Sequence, residues 1–310
     1  MKEVWPELPY EPWRETCDAL HLFTQIVGKY RLAHTPWLNH SWHATIYVNA
    51  RGFTTSLVPD GAGDAEIQFD FIDHVVRGST VRGATGGFAL EPMSVQQFHA
   101  RFVDLLGSLG LSSRFSGRPS EIADALPFAQ DTRPRPYDRD AVNRFFRACV
   151  AVDRVFKRFR TGFLGKASPV HFFWGSFDLA VTRFSGEAAP LHPGGIPALP
   201  DGITREAYSH QVSSAGFWPG AGLGFPAFYS YAYPAPEGFS RAHVLPDAAY
   251  FDENLGEFIL PYDAVRQAAD PEETLIAFLQ STYDAASDLG SWQRDRLDCE
   301  IARPRIPRKL

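Results

Sequence analysis

The residues best suited to chemistry lie in one aromatic-rich segment, residues 168–185. This segment has the sequence SPVHFFWGSFDLAVTRFS and contains His171, Trp174, Asp178 and Arg183. A histidine changes its charge near neutral pH, and a carboxylate among apolar neighbours needs a partner, so these residue types indicate general acid/base chemistry. The same residues also fit a structural role, in which Asp178 and Arg183 form a buried ion pair within a sheet.

Strand geometry limits which of these residues can act together. In one straight strand, the twelve residues (183 − 171) between His171 and Arg183 would separate them by roughly 40 Å. A bulge at Gly175-Ser176 could bring the two ends closer. His210 begins a later predicted strand, and it could lie near His171 if the strands form a meander. We therefore take His171, His210 and Asp178 as the candidate catalytic residues.

A histidine-bound metal is the alternative chemistry. Two histidines and one carboxylate would suit a divalent transition metal. The candidate ligands are His171, His210, His40 and His43. The last two have a His-x-x-His spacing, but at a loop-to-strand junction rather than on a helix, and no HExxH sequence occurs. A divalent metal is thus one candidate cofactor. The sequence contains neither a Walker motif nor a GxGxxG motif, so no motif indicates a nucleotide cofactor.

Aromatic residues make up 14% of the chain, which predicts either a sheet core or a ligand pocket. In the first interpretation the rings only fill the core. In the second they line a pocket for a small, partly apolar molecule, and an arginine holds an anionic group of that molecule. The residues expected to bind such a substrate are Trp174, Arg183, Arg51, Trp218 and Tyr229.

Composition and charge exclude several classes of protein. The chain is 45% hydrophobic and 21% charged, which predicts a packed core rather than disorder. Its net charge is −6 and its basic residues are scattered, so we expect no nucleic-acid partner. No apolar run is long enough to span a bilayer, and residues 1–10 lack the apolar run of a signal peptide. The sequence does not indicate an oligomeric state.

Three cysteines, Cys17, Cys149 and Cys299, are far apart and odd in number. Cys17 and Cys149 fall on the apolar stripes of predicted helices, so we expect them to be small core residues. This usage predicts a reduced, cytoplasmic protein.

Hydrophobic periodicity predicts the elements that must position the candidate residues. Apolar residues at three- and four-residue spacing predict four long helices, and alternation predicts strands. The helices are expected at about 13–33, 94–109, 138–160 and 270–289, and the main strands at about 43–49, 53–58, 67–72, 88–90, 168–185, 209–217, 227–233 and 258–260. Because no helix separates successive strands, the sheets should be antiparallel.

The two halves of the chain share a pattern. Trp42 and Arg51 are nine residues apart, as are Trp174 and Arg183, and each half ends with a short strand, a proline and a helix. We therefore predict an α+β fold of two similar helix–antiparallel sheet–helix repeats related by a pseudo-twofold axis. The expected boundaries are 1–111 for the first repeat, 112–137 for a proline-rich linker and 138–310 for the second repeat.

Several long motifs resemble those of a known family. They are WPELPYEPW, QIVGKYR, NHSWH, SPVHFFWGSFDLAVTRFSG, YSHQVSSAGFWPG, FYSYAYP and Leu260-Pro261-Tyr262. Together they resemble a bacterial domain-of-unknown-function family, number 5996 in its series, over nearly the whole chain. The resemblance implies no activity and assigns no catalytic residue.

Three kinds of function fit these patterns. The first, which we favour, is an enzyme that acts on a small, partly apolar molecule in a cleft between the repeats. The second is a non-catalytic small-molecule binding or sensor protein, and the third is a scaffold whose exposed strands pair with a partner. Titratable groups that converge in a pocket would favour the enzyme, whereas a pocket lined by aromatic residues alone would favour the binding protein.

Overall fold

A computed structural model describes residues 4–61 and 63–307, in which helices pack around two antiparallel sheets. The helices are α1 Tyr10–His34, α2 Val95–Ser108, α3 Arg139–Arg160, α4 Asp201–Ala207, α5 Tyr262–Arg266, α6 Pro271–Leu289 and α7 Arg294–Leu297. The strands are β1 Tyr47–Val48, β2 Gly52–Thr54, β3 Ala65–Asp70, β4 Val75–Thr80, β5 Thr85–Ala89, β6 His171–Phe173, β7 Asp178–Ala188, β8 His210–Trp218, β9 Ala227–Tyr233, β10 Tyr250–Asp252 and β11 Glu257–Pro261. Within these residues, no helix is long and apolar enough to cross a membrane.

The long helices begin where their capping residues predict. At α2, Ser94 and Gln97 form a capping box: the Gln97 backbone N–H donates to Ser94 Oγ at 3.1 Å, and the Ser94 backbone N–H donates to Gln97 Oε1 at 2.9 Å. Asp138 caps α3 and Asp270 caps α6 more simply, with carboxylate oxygens that accept backbone N–H groups of the first helical turn. These four residues fix where three of the four predicted long helices start.

The strands form two antiparallel sheets, which confirms the predicted α+β class. The first sheet has the order β1-β2-β3-β4-β5, and the second has the order β10-β11-β9-β8-β7-β6. A short bridge joins them, since Ile46 and Phe172 exchange backbone hydrogen bonds of 3.1 and 2.7 Å. Cys17 and Cys149 are buried and unpaired, as expected of core residues.

The two predicted repeats differ in detail. Their sheets have five and six strands. Arg51 is partly exposed and pairs with Asp70, whereas Arg183, its counterpart in the sequence pattern, is buried beneath aromatic rings. Duplication and the boundaries between repeats therefore stay predictions.

The prediction of one strand over residues 168–185 was wrong, because the chain reverses inside this segment. Residues 174–177 form a turn between β6 and β7, and Phe173 pairs with Asp178. Phe177 takes a φ of 59°, in the left-handed region, where a turn can reverse the chain. The reversal brings His171 opposite Ala180 and places Asp178 at the start of a new strand.

The segment 112–137 is irregular, as predicted for a linker, yet it packs tightly against α1. Its side chain Phe128 is completely buried. The Ser120 backbone N–H donates to Gln25 Oε1 at 2.8 Å, and Gln25 Nε2 donates to the Ser120 carbonyl at 2.9 Å. These bonds hold the neighbouring Glu121 against the second sheet.

Candidate functional site

A cavity of about 710 Å³ lies between α1, the irregular segment and one face of the second sheet. Nine aromatic side chains contribute to its wall, so much of the wall is apolar. They are Trp37, Trp42, Phe173, Trp174, Phe184, Tyr208, Trp218, Tyr229 and Tyr231. This size and apolar character are typical of small-molecule sites.

Three carboxyl groups face this cavity from three separate parts of the chain: Asp178 at the start of β7, Glu121 from the irregular segment and Glu257 at the start of β11. Burial raises the pKa of Asp178 to about 6, although hydrogen bonds from Ser176 and Tyr229 act in the opposite direction. Burial and the nearby charge of Asp178 raise the pKa of Glu121 to about 7 and that of Glu257 to about 8.

Asp178 accepts a hydrogen bond on each carboxylate oxygen. The Tyr229 hydroxyl donates to Oδ2 at 2.5 Å, and the Ser176 hydroxyl donates to Oδ1. Tyr229 lies on β9, two strands from β7, and its register partner on the intervening strand is Gly216. A Cβ on Gly216 would overlap the Tyr229 ring. The glycine thus leaves space for the tyrosine to cross β8 and hold the carboxylate.

Hydroxyl groups continue this polar surface along the sheet. Tyr208 and Tyr231 share a hydrogen bond of 2.8 Å between their hydroxyls, as do Thr182 and Ser214. Glu257 is different, because its Oε2 atom is buried and has no hydrogen-bond partner among the described residues. The cavity therefore contains one buried acceptor atom, on a half-buried acid, that no described residue contacts with a hydrogen bond.

Lys29 is the buried cation of the cavity wall. Its Nζ donates to Ser120 Oγ at 2.5 Å and lies 5.4 Å from the centre of the Trp174 ring. Burial lowers the pKa of Lys29, and the charge of Glu121 partly opposes this effect. The lysine thus has partners of its own and forms no ion pair with a carboxylate within the described residues.

Trp174 forms part of the cavity wall and is fixed by close packing. Its Nε1–H donates to the Ala44 carbonyl at 2.6 Å. Its ring lies directly on Gly28 of α1, where a Cβ would overlap the indole. Trp174, Trp218 and Tyr229 are thus the predicted substrate-binding residues that line the cavity.

The two predicted catalytic histidines do not come together. His171 is fully buried between the Trp42 and Phe173 rings, and burial lowers its pKa to about 3. Its register partner Ala180 pairs with Gly216, and His210 lies six residues (216 − 210) from Gly216, roughly 20 Å along β8. The rings of Trp42 and His40 lie between the two histidines, and His210 contacts His40 instead. Neither histidine lines the cavity, so of the three predicted catalytic residues only Asp178 does.

The other predicted metal ligands have different partners. His40 shares a hydrogen bond of 2.8 Å with the Ala207 carbonyl through Nδ1, and its Nε2 accepts from Lys166 Nζ at 2.6 Å. His43 Nδ1 lies 3.2 Å from both the backbone nitrogen and the carbonyl of Leu38. Among the residues that the structure describes, no group of three or more histidine, cysteine or acidic side chains could hold a metal ion.

The two predicted anchoring arginines lie outside the cavity wall. The Arg183 guanidinium is 3.5 Å from the centre of the Phe159 ring and 4.4 Å from that of Tyr283, in the core on the helix side of the sheet. Burial lowers its pKa to about 10. Arg51 pairs with Asp70 at 2.5 Å on the first sheet. An anionic ligand group in the cavity would contact neither of them.

Comparison with known proteins gives the chain a family. The family described as "Family of unknown function (DUF5996)" matches residues 5–299. The chain belongs to this family. The comparison with curated proteins and the comparison with solved structures each gave no match. Membership of DUF5996 confirms the resemblance seen in the motifs and assigns no reaction.

Sequence reasoning missed three functional candidates of this DUF5996 chain: Glu121, Glu257 and Lys29. Glu121 lies in the proline-rich segment, where hydrophobic periodicity gives no information. Glu257 is 79 residues (257 − 178) from Asp178, and Glu121 is 57 residues (178 − 121) from it, so no local spacing links them. Lys29 lies near the C-terminal end of α1, where favourable contact with the helix terminus is a sufficient explanation for a cation. No signal in the sequence could have grouped these three side chains.

Proposed function

We propose that this protein is an enzyme that transfers protons on a small, partly apolar molecule bound in the cavity. One observation carries the proposal: three carboxyl groups whose pKa values are raised to between about 6 and 8 face a single aromatic cavity. Acids and bases work best when their pKa lies near the working pH, and such groups in a pocket are typical of active sites.

Asp178 interacts electrostatically with Glu121 and with Glu257, so the three carboxyls titrate as a coupled group. Near pH 7 the group contains both protonated and ionised members. An ionised member can accept a proton from the ligand, and a protonated member can return one. Tyr229 donates its hydrogen bond to the ionised form of Asp178, which favours that residue as the base, while Glu257, with the highest pKa, is suited to be the acid.

The aromatic wall would hold the apolar part of the ligand. Trp218 and Tyr229 pack with ring centres 4.3 Å apart and planes tilted by 30°, and they form an aromatic surface beside Asp178. Water displaced from this surface would strengthen electrostatic contacts between the ligand and the acids. Trp174 and the Lys29 side chain close another part of the wall.

A thermal-shift screen of small amines, carboxylic acids, alcohols and sugars at pH 7 tests this proposal. A cavity ligand should raise the melting temperature of the wild type but not of Leu199→Trp, which places a large ring at the cavity wall. Leu191→Trp is the matched control, since Leu191 lies in the same loop, is 75% exposed and does not line the cavity.

Each ligand found would then be incubated with the protein and analysed for chemical change by mass spectrometry or by exchange of its protons with deuterated water. We expect turnover by the wild type, and a loss of turnover of at least roughly 100-fold in Asp178→Asn at ligand concentrations that saturate the variant. Binding without any chemical change of the ligand would contradict the proposal of an enzyme and would support a non-catalytic binding protein. A screen without any ligand would overturn both.

A non-catalytic binding or sensor protein is the second candidate function. It is favoured by the fact that both oxygens of Asp178 already accept hydrogen bonds from the protein, so that Asp178 could be part of a rigid polar frame. In that case Asp178→Asn would weaken or retain binding, and no ligand would be converted.

Two further proposals concern the whole chain. Unpaired, buried Cys17 and Cys149 support a cytoplasmic location, where thiols stay reduced. The similar order of elements in the two halves supports duplication about a pseudo-twofold axis. Expression of residues 1–111 and 138–310 as separate chains would test the division, because independent repeats should each unfold cooperatively.

A further inference from the structure

We propose that the ligand of this cavity is a protonated amine with an apolar body, an inference that rests on the proposed function. Three acidic side chains of the wall, Asp178, Glu121 and Glu257, surround a space walled by aromatic rings. An ammonium group supplies the positive charge and the N–H donors that these acids need, and the rings supply a surface for the rest of the molecule.

The charges of the wall are unbalanced. Lys29 is the buried cation, and it is already engaged with Ser120 and Trp174. Arg118 also lines the cavity but is exposed, so solvent screens its charge. None of the three carboxylates forms an ion pair with a side chain of the described residues. A buried carboxylate without a counter-ion is costly, and a cationic ligand would remove that cost.

Glu257 gives the ammonium a specific place. Its Oε2 atom is buried and accepts no hydrogen bond from the described part of the chain. An ammonium group has N–H donors and no acceptor, so it matches a surface of acceptors. Glu257 and Asp178 line the same cavity, so an ammonium beside Glu257 would also be attracted by the charge of Asp178.

The aromatic wall favours the same ligand. Cations bind to the faces of Trp and Tyr rings, and such contacts strengthen in sites without water. Trp218, Tyr229 and Tyr231 lie in a row, with successive ring centres 4.3 and 6.1 Å apart. A metal ion would need a set of ligating side chains, and the described residues contain no such set. The cation that fits is therefore organic.

Titration of the wall gives a second measurable consequence. The groups that influence the acids are Lys29, Tyr229, Tyr208, Asp252 and the acids themselves, with Arg118 and His40 elsewhere on the wall. The raised pKa values mean that some acids are protonated near pH 7. A bound ammonium would lower those pKa values, so binding should release protons.

Three probes with one phenyl body and different polar groups test the inference: phenethylamine, 2-phenylethanol and phenylacetate. Isothermal titration calorimetry at pH 7 should show phenethylamine binding at least roughly ten-fold more tightly than the alcohol, and phenylacetate binding weakest. Titrations in two buffers with different ionisation enthalpies should show net proton release by the amine alone.

Two matched variants locate the contact. Glu257→Gln should weaken the binding of phenethylamine roughly ten-fold and leave the affinity for 2-phenylethanol unchanged. Glu253→Gln makes the same charge change on an exposed residue outside the cavity, and it should leave both unchanged. Circular dichroism confirms that each variant is folded.

The outcomes separate this inference from the proposed function. The inference of an amine ligand would be wrong if the alcohol or phenylacetate bound as tightly as the amine or more tightly. It would also be wrong if Glu257→Gln had no effect on binding. Either result would still leave a cavity that binds ligands. Failure of all three probes and of every amine in the screen, when a compound that is not an amine does bind in the cavity, would also contradict the amine alone. Failure of every compound of the screen would overturn both.

Discussion

The Tyr229 hydroxyl lies 2.5 Å from Oδ2 of Asp178, although the two residues stand on strands separated by a third. Gly216, on the strand between them, makes this contact possible because it has no side chain in the path of the tyrosine ring. The contact links the aromatic wall of the cavity to its acidic group. It also has a direct effect on Asp178, since a hydrogen bond to a carboxylate favours the ionised form.

Removal of the Tyr229 hydroxyl should make Asp178 a weaker acid. In Tyr229→Phe we expect the pKa of Asp178 to rise from about 6 to roughly 7, because one hydrogen bond to the ionised form is lost. The measurement is an NMR titration of ¹³C-labelled aspartate carboxyls, with Asp178→Asn to identify the signal.

The control for this titration is Tyr231→Phe. Tyr231 lies two residues further along β9, and its hydroxyl bonds to Tyr208 rather than to an acid. The variant Tyr231→Phe should therefore leave the pKa of Asp178 near 6. The same shift in both variants would show that Asp178 responds to general loosening of the cavity and not to its hydrogen bond.

Two glycines on helices should respond to alanine in opposite ways. Gly28→Ala should destabilise the protein by about 1–3 kcal/mol, because the new methyl group overlaps the Trp174 indole. Gly107→Ala, in α2, should stabilise it by up to about 1 kcal/mol, because nothing lies within 4 Å of the added methyl and alanine favours the helix. Urea denaturation followed by circular dichroism gives both free energies of unfolding.

A stabilising Gly28→Ala would contradict the close packing of Trp174 on α1. Tryptophan fluorescence of the folded variant provides a second observation, since only Gly28→Ala should change it by displacing an indole.

His171 should reduce stability in acid without taking part in chemistry. Its native pKa, about 3, lies below the value of about 6.5 in an unfolded chain, so below pH 6.5 the unfolded state binds a proton that the native state does not. Its contribution to the free energy of unfolding therefore falls by about 2 kcal/mol between pH 7 and pH 5. His171→Leu, which has a similar volume, should remove this part of the decline.

Urea denaturation at pH 7 and pH 5 checks this expectation, with His243→Leu as the control because His243 is exposed. Burial lowers the pKa of His21 to about 4, so His21 should cause a similar decline in the free energy of unfolding in all variants. Equal pH dependence in wild type and His171→Leu would show that His171 is protonated in the native state. If His171→Leu lost the ability to convert a ligand, His171 would have a role in the reaction, contrary to this expectation.

The sequence by itself determined the local structure. Periodic apolar residues and the caps Ser94, Asp138 and Asp270 predicted the long helices because both signals act within a few residues of chain. The lack of helices between strands predicted antiparallel sheets, since only parallel neighbours need long crossovers. The motifs identified the family, and aromatic content indicated a core or a pocket without deciding between them.

The tertiary structure decided the site. A turn at residues 174–177 split the aromatic segment and placed Asp178 on the cavity wall, while His171 and Arg183 are buried outside that wall. Packing of the irregular segment and pairing of β11 with β9 then brought Glu121 and Glu257 to the same space. Hydrophobic patterns specify which residues are buried, but strand register and loop packing specify which buried residues meet. These depend on contacts between segments far apart in the chain, so spacing along the sequence cannot show them.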